Sequence, residues 1–358
     1  ELQLYYMEKR FERGLLLSPA NYSLTNSLRS TLSRIASEVK VVDVRSFISS
    51  FDSRLNSQVF RFPHSVRRKW EHHFQARINT RILDLIGGYS PDLVIVYNSQ
   101  FLMPETCRSV SSRSKLVFFM GDSPFYTPQN NYYLSCLSHA DLILSPDSCW
   151  ADQLNTMGIR KTLYFIPGAD EASYFRINRE EADLEEETEI LYVGACYLNS
   201  WGYKKALLMD SFTGFNFRLY GNSAWRRWFS FFPSLEDVYS ESNYIPQQKL
   251  NRMYNRTRVI PVDGNPGILC GIHLRMFEAL AAGALPLIEY RKDVDGRLFN
   301  GFENKLPLIK DYKSAAAIAS EYLKDNQARE QLVSAMNAFL RTEYSHELNA
   351  MKLSEALK

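Results

Sequence analysis

Short apolar runs alternate with stretches of helical periodicity along most of the chain. In the first half, a helical stretch at 26–37 and an alternating strand at 39–44 accompany apolar runs at 14–19, 93–97, 115–120, 140–145 and 163–167. In the second half the runs lie at 190–195, 217–221 and 284–288. Strands that are apolar at nearly every position are typical of a parallel sheet covered on both faces by helices. The pattern predicts an α/β protein with two successive αβ series.

The length and one acidic stretch indicate where these series separate. A chain of 358 residues exceeds the roughly 250–300 residues that a single core usually serves. Residues 178–189, NREEADLEEETE, are almost devoid of apolar side chains and are the predicted linker. We therefore expect a first domain at 1–177 and a second at 190–340. Residues 1–13 would be an extra leading helix or extension.

The segment from Asp263 to Tyr290 combines a glycine-rich loop, an amphipathic helix and a buried strand. Glycine lets backbone N–H groups approach a ligand closely, and a helix N-terminus favours phosphate. Arg275 and Glu278 are three positions apart and share one helix face. The pattern indicates a diphosphate and ribose pocket in which the arginine binds phosphate and the glutamate binds the sugar diol. The alternative is an ordinary surface ion pair. The helix is predicted to end at Gly283.

The run from Arg275 to Ala284, RMFEALAAGA, followed by a strand and Tyr290-Arg291-Lys292-Asp293, resembles the donor-site signature of glycosyltransferases with the GT-B fold. It is most similar to the CgeB-like group and to the related family 4 and family 1 type enzymes. Further matching segments are ILYVGA at 190–195, similar to the first donor-domain strand and its glycine turn, FRLYG at 217–221, similar to the next strand, and YIPQQKLNRMYN at 244–255, similar to a base-contacting loop that precedes a short helix.

The resemblance implies two Rossmann-like domains that face each other across a cleft. The second would bind a nucleotide-diphosphate sugar, the first would bind the acceptor, and a final helix within 341–358 would cross back to the first. It implies glycosyl transfer without a bound metal. The expected donor-binding residues are Gly194, Lys205, Ile245, His273, Leu274, Arg275 and Glu278.

Three residues are candidates for the chemistry. Arg275 and Lys205 would stabilise the diphosphate leaving group, although Lys204 could replace Lys205, and either lysine could be a solvated helix residue. Asp122, in the sequence Gly-Asp-Ser-Pro after a strand, would be a general base or would orient the acceptor or sugar. Its alternative is an Asx-turn or a helix cap. Asn98 follows the neighbouring strand, and His273 would donate to phosphate or cap the helix.

The stereochemistry stays open at this stage. Many retaining enzymes of the resembling families carry two glutamates eight positions apart, and the position eight before Glu278 is Cys270. This departure also keeps open a second hypothesis, a non-catalytic sugar-nucleotide-binding scaffold for a partner enzyme. A third is a nucleotide-sugar epimerase, which would consume donor without an acceptor.

The charge balance and the cysteine spacing bear on the partners and the compartment that we expect for this protein. Forty-two basic and 40 acidic residues give no global argument for a nucleic-acid partner. Five cysteines without C-x-x-C spacing favour a reducing compartment and no structural metal, so we expect a cytoplasmic location, with the inner face of the membrane left open. The resemblance to the GT-B enzymes implies a role in glycan biosynthesis. The acceptor would be a sugar, a peptide, a protein or a lipid-linked molecule. The aromatic and basic segment from Ala224 to Tyr239 could pack a loop, stack a base or meet a lipid surface, which leaves peripheral membrane contact open.

Overall fold

The computed structural model describes residues 9–20, 22–98, 101–126, 132–265 and 267–358. The chain forms two compact units. The first comprises Glu1–Pro167 and Tyr344–Lys358, and the second comprises Gly168–Glu343. Each unit contains one six-stranded parallel sheet with helices.

The strands are β1 (Phe11–Leu17), β2 (Ala36–Val42), β3 (Leu93–Tyr97), β4 (Lys115–Phe119), β5 (Leu142–Ser145), β6 (Thr162–Tyr164), β7 (Thr188–Val193), β8 (Phe217–Gly221), β9 (Tyr239–Glu241), β10 (Thr257–Val262), β11 (Leu285–Glu289) and β12 (Leu308–Ile309). The α-helices are α1 (Ser23–Ile35), α2 (Ser50–Asn56), α3 (His64–Tyr89), α4 (Pro104–Ser111), α5 (Tyr133–Leu137), α6 (Ser148–Thr156), α7 (Arg179–Ala182), α8 (Ser200–Asp210), α9 (Ser234–Val238), α10 (Gln247–Asn255), α11 (Arg275–Ala282), α12 (Ala315–Lys324), α13 (Asn326–Glu343) and α14 (His346–Ala356).

The first sheet has the strand order β2-β1-β3-β4-β5-β6, and its pairings are parallel. The apolar runs form its interior: Leu16, Ile95 and Val117 are almost completely buried. Strand β2 lies on one side of β1, and β3 lies on the other side. The strand order therefore reverses between β1 and β3, which is where open α/β sheets form a crevice outside the carboxyl ends of their strands.

The second sheet has the order β12-β11-β10-β7-β8-β9 and is also parallel. Ile190 in β7 and Leu219 in β8 are fully buried, as their apolar runs predict. Ile260 in β10, a strand that lies outside the predicted runs, is fully buried as well. Strands β8 and β9 extend the sheet to one side of β7, and β10 to β12 extend it to the other. The reversal lies between β7 and β10.

The division between the units falls ahead of the predicted linker. Residues 178–189 lie within the second unit, where they contribute α7 and the beginning of β7. Their acidic side chains form ion pairs with basic residues of the same unit: Asp183 with Arg256, Glu185 with Arg252, and Glu187 with Arg258. The composition of residues 178–189 predicts a solvated linker, but ion pairs hold this stretch against the rest of the second unit.

The end of the chain belongs to the first unit. Helix α14 packs on α1, and the buried Asn349 donates from Nδ2 to the carbonyl oxygen of Ile166 at 2.8 Å. At the other end, residues 1–8 lie outside the described residues. Phe11 to Arg13, which the sequence assigned to a leading extension, are instead the beginning of β1. Among the described residues, no helix combines the length and apolarity needed to cross a membrane.

The aromatic and basic segment from Ala224 to Tyr239 is mostly packed. Trp225, Trp228 and Phe232 are buried, and the indole N–H groups of the two tryptophans donate to backbone carbonyls at Gly194 and Tyr197. Of the three uses that the sequence allowed for this segment, the structure shows packing, although the packed segment is a 3-10 helix followed by α9 and not an irregular loop.

Candidate functional site

The carboxyl ends of β7 and β10 meet where the second sheet reverses its strand order. Gly194 directly follows β7, and Asp263 directly follows β10. The middle of α8 supplies Lys205, and the first residue of α11, Arg275, reaches the same place. Ligands of open α/β sheets bind at such a reversal, so the topology alone makes this a candidate site.

A buried cluster of charged side chains lies here. Arg275 Nη1 is 3.2 Å from Asp263 Oδ1, and Lys205 Nζ is 3.1 Å from Asp263 Oδ2. The hydroxyl of Tyr192 donates to Asp263 Oδ1 at 2.7 Å and accepts from Lys205 Nζ at 2.8 Å. The guanidinium of Arg275 also lies over the Tyr192 ring, 4.6 Å from its centre. Two cations therefore share one carboxylate.

Electrostatic interactions within this cluster keep Asp263, Lys205 and Arg275 ionised although they are buried. Burial by itself would raise the pKa of Asp263, but the charges of Lys205 and Arg275 outweigh it and hold the pKa well below its usual range. Burial would lower the pKa of Lys205, and the Asp263 carboxylate outweighs that effect. Because two positive charges meet one negative charge, the cluster carries an excess positive charge in a place that excludes most water. An anion bound next to it would gain strongly from that excess.

Gly194 makes room for the guanidinium. A Cβ atom at this position would stand 2.8 Å from Arg275 Nη2 and 2.9 Å from the Tyr192 hydroxyl. Both distances are too short for a non-bonded carbon, so any larger residue would displace the cluster. The carbonyl oxygen of Gly194 accepts from Trp225 Nε1 at 2.9 Å, which fixes the turn after β7.

A second group of charges centres on Glu289, at the end of β11. Its carboxylate pairs with Lys204 at 2.7 Å and with Arg291 at 2.9 Å, and it accepts from the Tyr312 hydroxyl. It also accepts from the backbone N–H of Gly264 at 3.0 Å, which holds the loop after β10. The two adjacent lysines of α8 thus have different partners: Lys205 binds Asp263 and Lys204 binds Glu289. Lys204 and Arg291 are the more exposed cations of the site.

Helix α11 begins at Arg275, with Leu274 as its N-cap residue. The backbone N–H of Arg275 donates to Nδ1 of His273 at 3.1 Å. Burial, with the nearby Arg275 charge, lowers the pKa of His273 to about 3, so the ring is neutral at pH 7. The helix ends at Gly283, which has φ +92°, as the sequence predicts.

Glu278 lies one turn into α11 and is partly exposed. Tyr174 and Tyr254 stack 6.1 Å apart close to it, and the Glu278 charge adds to the effect of burial in raising the pKa of both phenols. Ile245 lies in the loop before α10, where it is partly exposed. Tyr174 and Tyr254 are buried, so Glu278 and Ile245 are the partly exposed members of this region.

The first unit has a cavity of about 260 Å³ at the carboxyl edge of its own sheet. The polar residues of its wall follow four strands: Ser18 after β1, Asp43 and Arg45 after β2, Asn98 after β3 and Asp122 after β4. Asp43 and Arg45 form an ion pair at 2.7 Å. The cavity surrounds the strand-order reversal between β1 and β3, the position at which such a sheet binds ligands.

Asp122 is held by its neighbour in this wall. Asn98 Nδ2 donates to Asp122 Oδ2 at 2.7 Å, and Asn98 Oδ1 accepts from the backbone N–H of Gly121 at 2.8 Å. Asn98 adopts φ +42°, a conformation that asparagine tolerates better than most residues. A Cβ atom at Gly121 would stand 2.3 Å from the Tyr97 ring, so the turn requires glycine. Although Asp122 keeps an exposed edge, burial at the cavity wall raises its pKa.

The structure thus brings Gly194, Lys205, His273, Leu274 and Arg275 together in the second unit, with Glu278 one turn further on. Asp122 and Asn98 are in contact in the first unit.

Sequence reasoning missed Asp263, Glu289 and Tyr192 as site residues. Asp263 and Glu289 could have been found, because each is an acidic residue at the carboxyl end of an apolar strand. Tyr192 lies inside such a run and gives no comparable signal.

Known structures share this two-unit architecture. Sucrose-phosphate synthase from Thermosynechococcus elongatus superposes with a TM-score of 0.66 at 12% identity, covering 96% of this chain and 98% of that one. HepE from Anabaena, in complex with UDP-glucose, has a TM-score of 0.65 at 12% identity and covers 96% and 99% of the two chains. An Escherichia coli structure described as trehalose-6-phosphate bound with UDP-2-fluoro glucose has a TM-score of 0.64 at 11% identity, with coverage of 97% and 99%. The fold is therefore that of the GT-B glycosyltransferases.

The sequence itself supports the same class. Residues 204–355 match the family model described as glycosyl transferase-like. This part of the chain, which contains Lys205, Asp263 and Arg275, is therefore similar to glycosyl transferase-like domains. A comparison with curated proteins finds no match.

Proposed function

We propose that this protein transfers a glycosyl group from a nucleoside-diphosphate sugar, bound by the second unit, to a hydroxyl of an acceptor bound by the first. The observation that carries the proposal is the buried cluster of Lys205, Asp263 and Arg275, whose excess positive charge lies at the strand-order reversal of a domain similar to glycosyl transferase-like domains. HepE, which has this fold, is described in complex with UDP-glucose, and we propose the same donor class here.

In this proposal the diphosphate binds beside the buried cluster. As the glycosyl bond to the donor breaks, negative charge develops on the diphosphate oxygen that leaves. Fixed cations in a dry site stabilise that charge without reorganising. Arg275 and Lys205 are held by Asp263 before any ligand arrives, while Lys204 and Arg291 are exposed enough to touch the phosphates directly. The protein can therefore supply this stabilisation from its own side chains, and we propose that transfer is independent of a metal ion.

We further propose that Glu278 binds the ribose of the donor. A carboxylate accepts hydrogen bonds from two vicinal hydroxyls, and the buried rings of Tyr174 and Tyr254 lie close to it. Ile245, before α10, would contact the base.

The acceptor is assigned to the cavity of the first unit, with Asp122 as the general base. A carboxylate whose pKa is raised by burial is a better proton acceptor, and Asn98 fixes its orientation. Asp43 and Arg45 neutralise each other, so the named wall residues leave a negative charge at Asp122. The cavity of about 260 Å³ is small. We therefore propose an uncharged polyol, such as one terminal sugar ring, in preference to a phosphorylated acceptor.

The first test is donor binding. The thermal unfolding of the protein is measured with UDP, GDP, dTDP, ADP and CMP, and the same series is repeated with Glu278→Ala. One nucleoside diphosphate at about 100 times its Kd should stabilise the protein by roughly 2.7 kcal/mol, and Glu278→Ala should lose most of that shift. No shift with any nucleotide would contradict the donor site.

The second test separates binding from chemistry. With the donor so identified, Asp122→Asn should bind it as the native protein does but transfer the sugar about 100-fold more slowly or worse. Addition of EDTA should leave native transfer unchanged. Uncharged sugars should compete for the acceptor site, and sugar phosphates should not. Donor binding without any transfer would instead support a non-catalytic scaffold, and donor consumption without an acceptor would support an epimerase.

A further inference from the structure

A projecting part of the first unit combines exposed aromatic and basic side chains. It consists of α2, the turn at 59–61 and the first turns of α3, and we call residues 50–69 the aromatic-basic patch. All ten residues from 60 to 69 are exposed. The residues at 64–69 belong to a helix, where successive side chains are about 100° apart, so six exposed in a row cover every side. The N-terminal turns of α3 therefore stand clear of the rest of the unit.

The apolar members of the patch are large. Phe51 is 73% exposed, Phe60 64%, Val66 51% and Phe62 46%. Single exposed apolar residues are ordinary on a protein surface. Four exposed apolar side chains within sixteen positions of one projecting segment form a cluster. Such clusters mark surfaces that bind a protein, a membrane or a ligand.

The charged members of the patch are mainly basic. Residues 50–71 contain five basic side chains (Arg54, Arg61, Arg67, Arg68 and Lys69). They contain two acidic ones, each of which is paired with an arginine: Asp52 with Arg77, and Glu71 with Arg67. The whole chain has a formal net charge of only +2, so the positive charge is concentrated here. Arg61 also lies over the Phe60 ring, 5.5 Å from its centre.

The patch is anchored to the body of the unit. Val59 in the turn is buried to 2% exposure, the Arg77–Asp52 pair joins α3 to α2, and Arg81 donates to the carbonyl oxygen of Phe47 at 2.6 Å. The aromatic side chains are therefore presented from a held segment rather than from a loose loop.

We propose that the aromatic-basic patch docks the first unit onto the surface of an anionic phospholipid bilayer. Phenylalanine side chains insert at the boundary between headgroups and acyl chains, while arginine and lysine bind the phosphates above them. The combination on one projecting segment satisfies both requirements at once. The inference does not depend on the proposed function, because none of these residues belongs to either candidate site.

The test is co-sedimentation with vesicles. The native protein should bind vesicles of phosphatidylcholine with phosphatidylglycerol, should bind pure phosphatidylcholine much more weakly, and should be released by high salt. Replacing Arg67, Arg68 and Lys69 together by Gln should weaken binding by on the order of 100-fold. The triple variant Phe51→Ser, Phe60→Ser and Phe62→Ser should weaken it by about tenfold or more.

A matched control removes as many exposed apolar side chains elsewhere, with Leu184→Ser, Phe231→Ser and Met351→Ser. It should bind vesicles as the native protein does. The nucleotide thermal shift should be unchanged in every variant, which separates this test from that of the donor site. Equal binding to neutral and anionic vesicles, binding that survives both patch variants, or no vesicle binding at all would each overturn the proposal. Binding of single-stranded RNA in preference to anionic vesicles would overturn it as well.

Discussion

At the scale of single residues, the donor site depends on charges that are expensive to bury. Arg275 and Lys205 are both less than one tenth exposed and share the carboxylate of Asp263. A buried ion pair seldom stabilises a fold more than apolar residues of similar size would, because both charges lose their hydration. A cluster with an unbalanced positive charge is more costly still. Its position at a strand-order reversal is what binding of an anionic ligand requires, which gives the cluster a functional explanation.

Gly194→Ala tests how tightly this cluster is packed. The new methyl group would overlap Arg275 Nη2 and the Tyr192 hydroxyl, so the guanidinium must leave Asp263. We expect a loss of about 1–3 kcal/mol in the free energy of unfolding. We also expect at least a tenfold weaker affinity for the nucleoside diphosphate, worth about 1.4 kcal/mol. Urea unfolding and calorimetric titration measure the two effects.

Gly214→Ala is the matched control for that variant. A Cβ atom at Gly214 has no neighbour within 4 Å, and the residue is exposed in the same unit. Its stability and nucleotide affinity should stay close to the native values. If Gly194→Ala also behaved like the native protein, the proposed packing of Arg275 against the turn after β7 would be incorrect.

At the scale of elements, the sequence predicts the strands and helices better than it predicts their partners. The predicted runs identify the strands of the first sheet, and β7, β8 and β11 of the second, but not β9, β10 or β12. The spacing from Arg275 to Gly283 identifies α11 and its end, because local periodicity and glycine conformation depend on neighbours in the chain. The partners of Lys204 and Lys205 depend on strands more than 50 residues away. Adjacent lysines in a sequence cannot reveal that one reaches Asp263 and the other Glu289.

The acidic stretch at 178–189 shows the same limit. Its composition is typical of a solvated linker. Its carboxylates nevertheless pair with Arg252 in α10, with Arg256 directly after α10 and with Arg258 in β10. The exposed phenylalanines of the aromatic-basic patch are the converse case. Their spacing looks unremarkable in the sequence. Only the exposure of every side of the α3 N-terminus shows that none of the described residues of the first unit covers them.

The start of α11 gives a prediction about pH. The pKa of His273 is lowered to about 3 in the folded protein, against about 6.5 for an unperturbed histidine. The His273 ring is therefore protonated near pH 6.5 in the unfolded chain but stays neutral in the folded protein. Because the unfolded state binds this extra proton, the free energy of unfolding falls as the pH drops from 6.5 towards 3. His273→Asn keeps an acceptor for the Arg275 N–H but does not titrate. Between pH 7 and pH 5 the native protein should lose about 2 kcal/mol more than this variant does in urea unfolding.

The lowered pKa of Asp263 affects the stability of the protein in a different pH range from that of His273. Its pKa is held below the usual range, so its contribution is present above about pH 4 and is lost only at lower pH. The comparison at pH 7 and pH 5 therefore isolates His273. Parallel losses in the native protein and in His273→Asn would show that the ring is not kept neutral by burial.

At the scale of the whole molecule, the second unit is inserted between two parts of the first. The chain leaves the first unit after Pro167 and returns to it at Tyr344. Helix α14 then completes the first unit: it packs on α1, Arg34 pairs with Glu347, and Asn349 binds the carbonyl oxygen of Ile166. The first unit therefore depends on residues made after the entire second unit.

Leu353→Ala tests this dependence. Leu353 in α14 is 1% exposed, and its truncation should cost about 2–5 kcal/mol through lost burial and a new cavity. Because α14 belongs to the first unit, amide hydrogen exchange should accelerate in β1, β3 and β4 and stay nearly unchanged in β7, β10 and β11. Nucleotide binding by the second unit should be retained. Met351→Ala, at a position 49% exposed in the same helix, should leave both units close to native. Faster exchange spread equally over both sheets would show that the two units unfold together rather than separately.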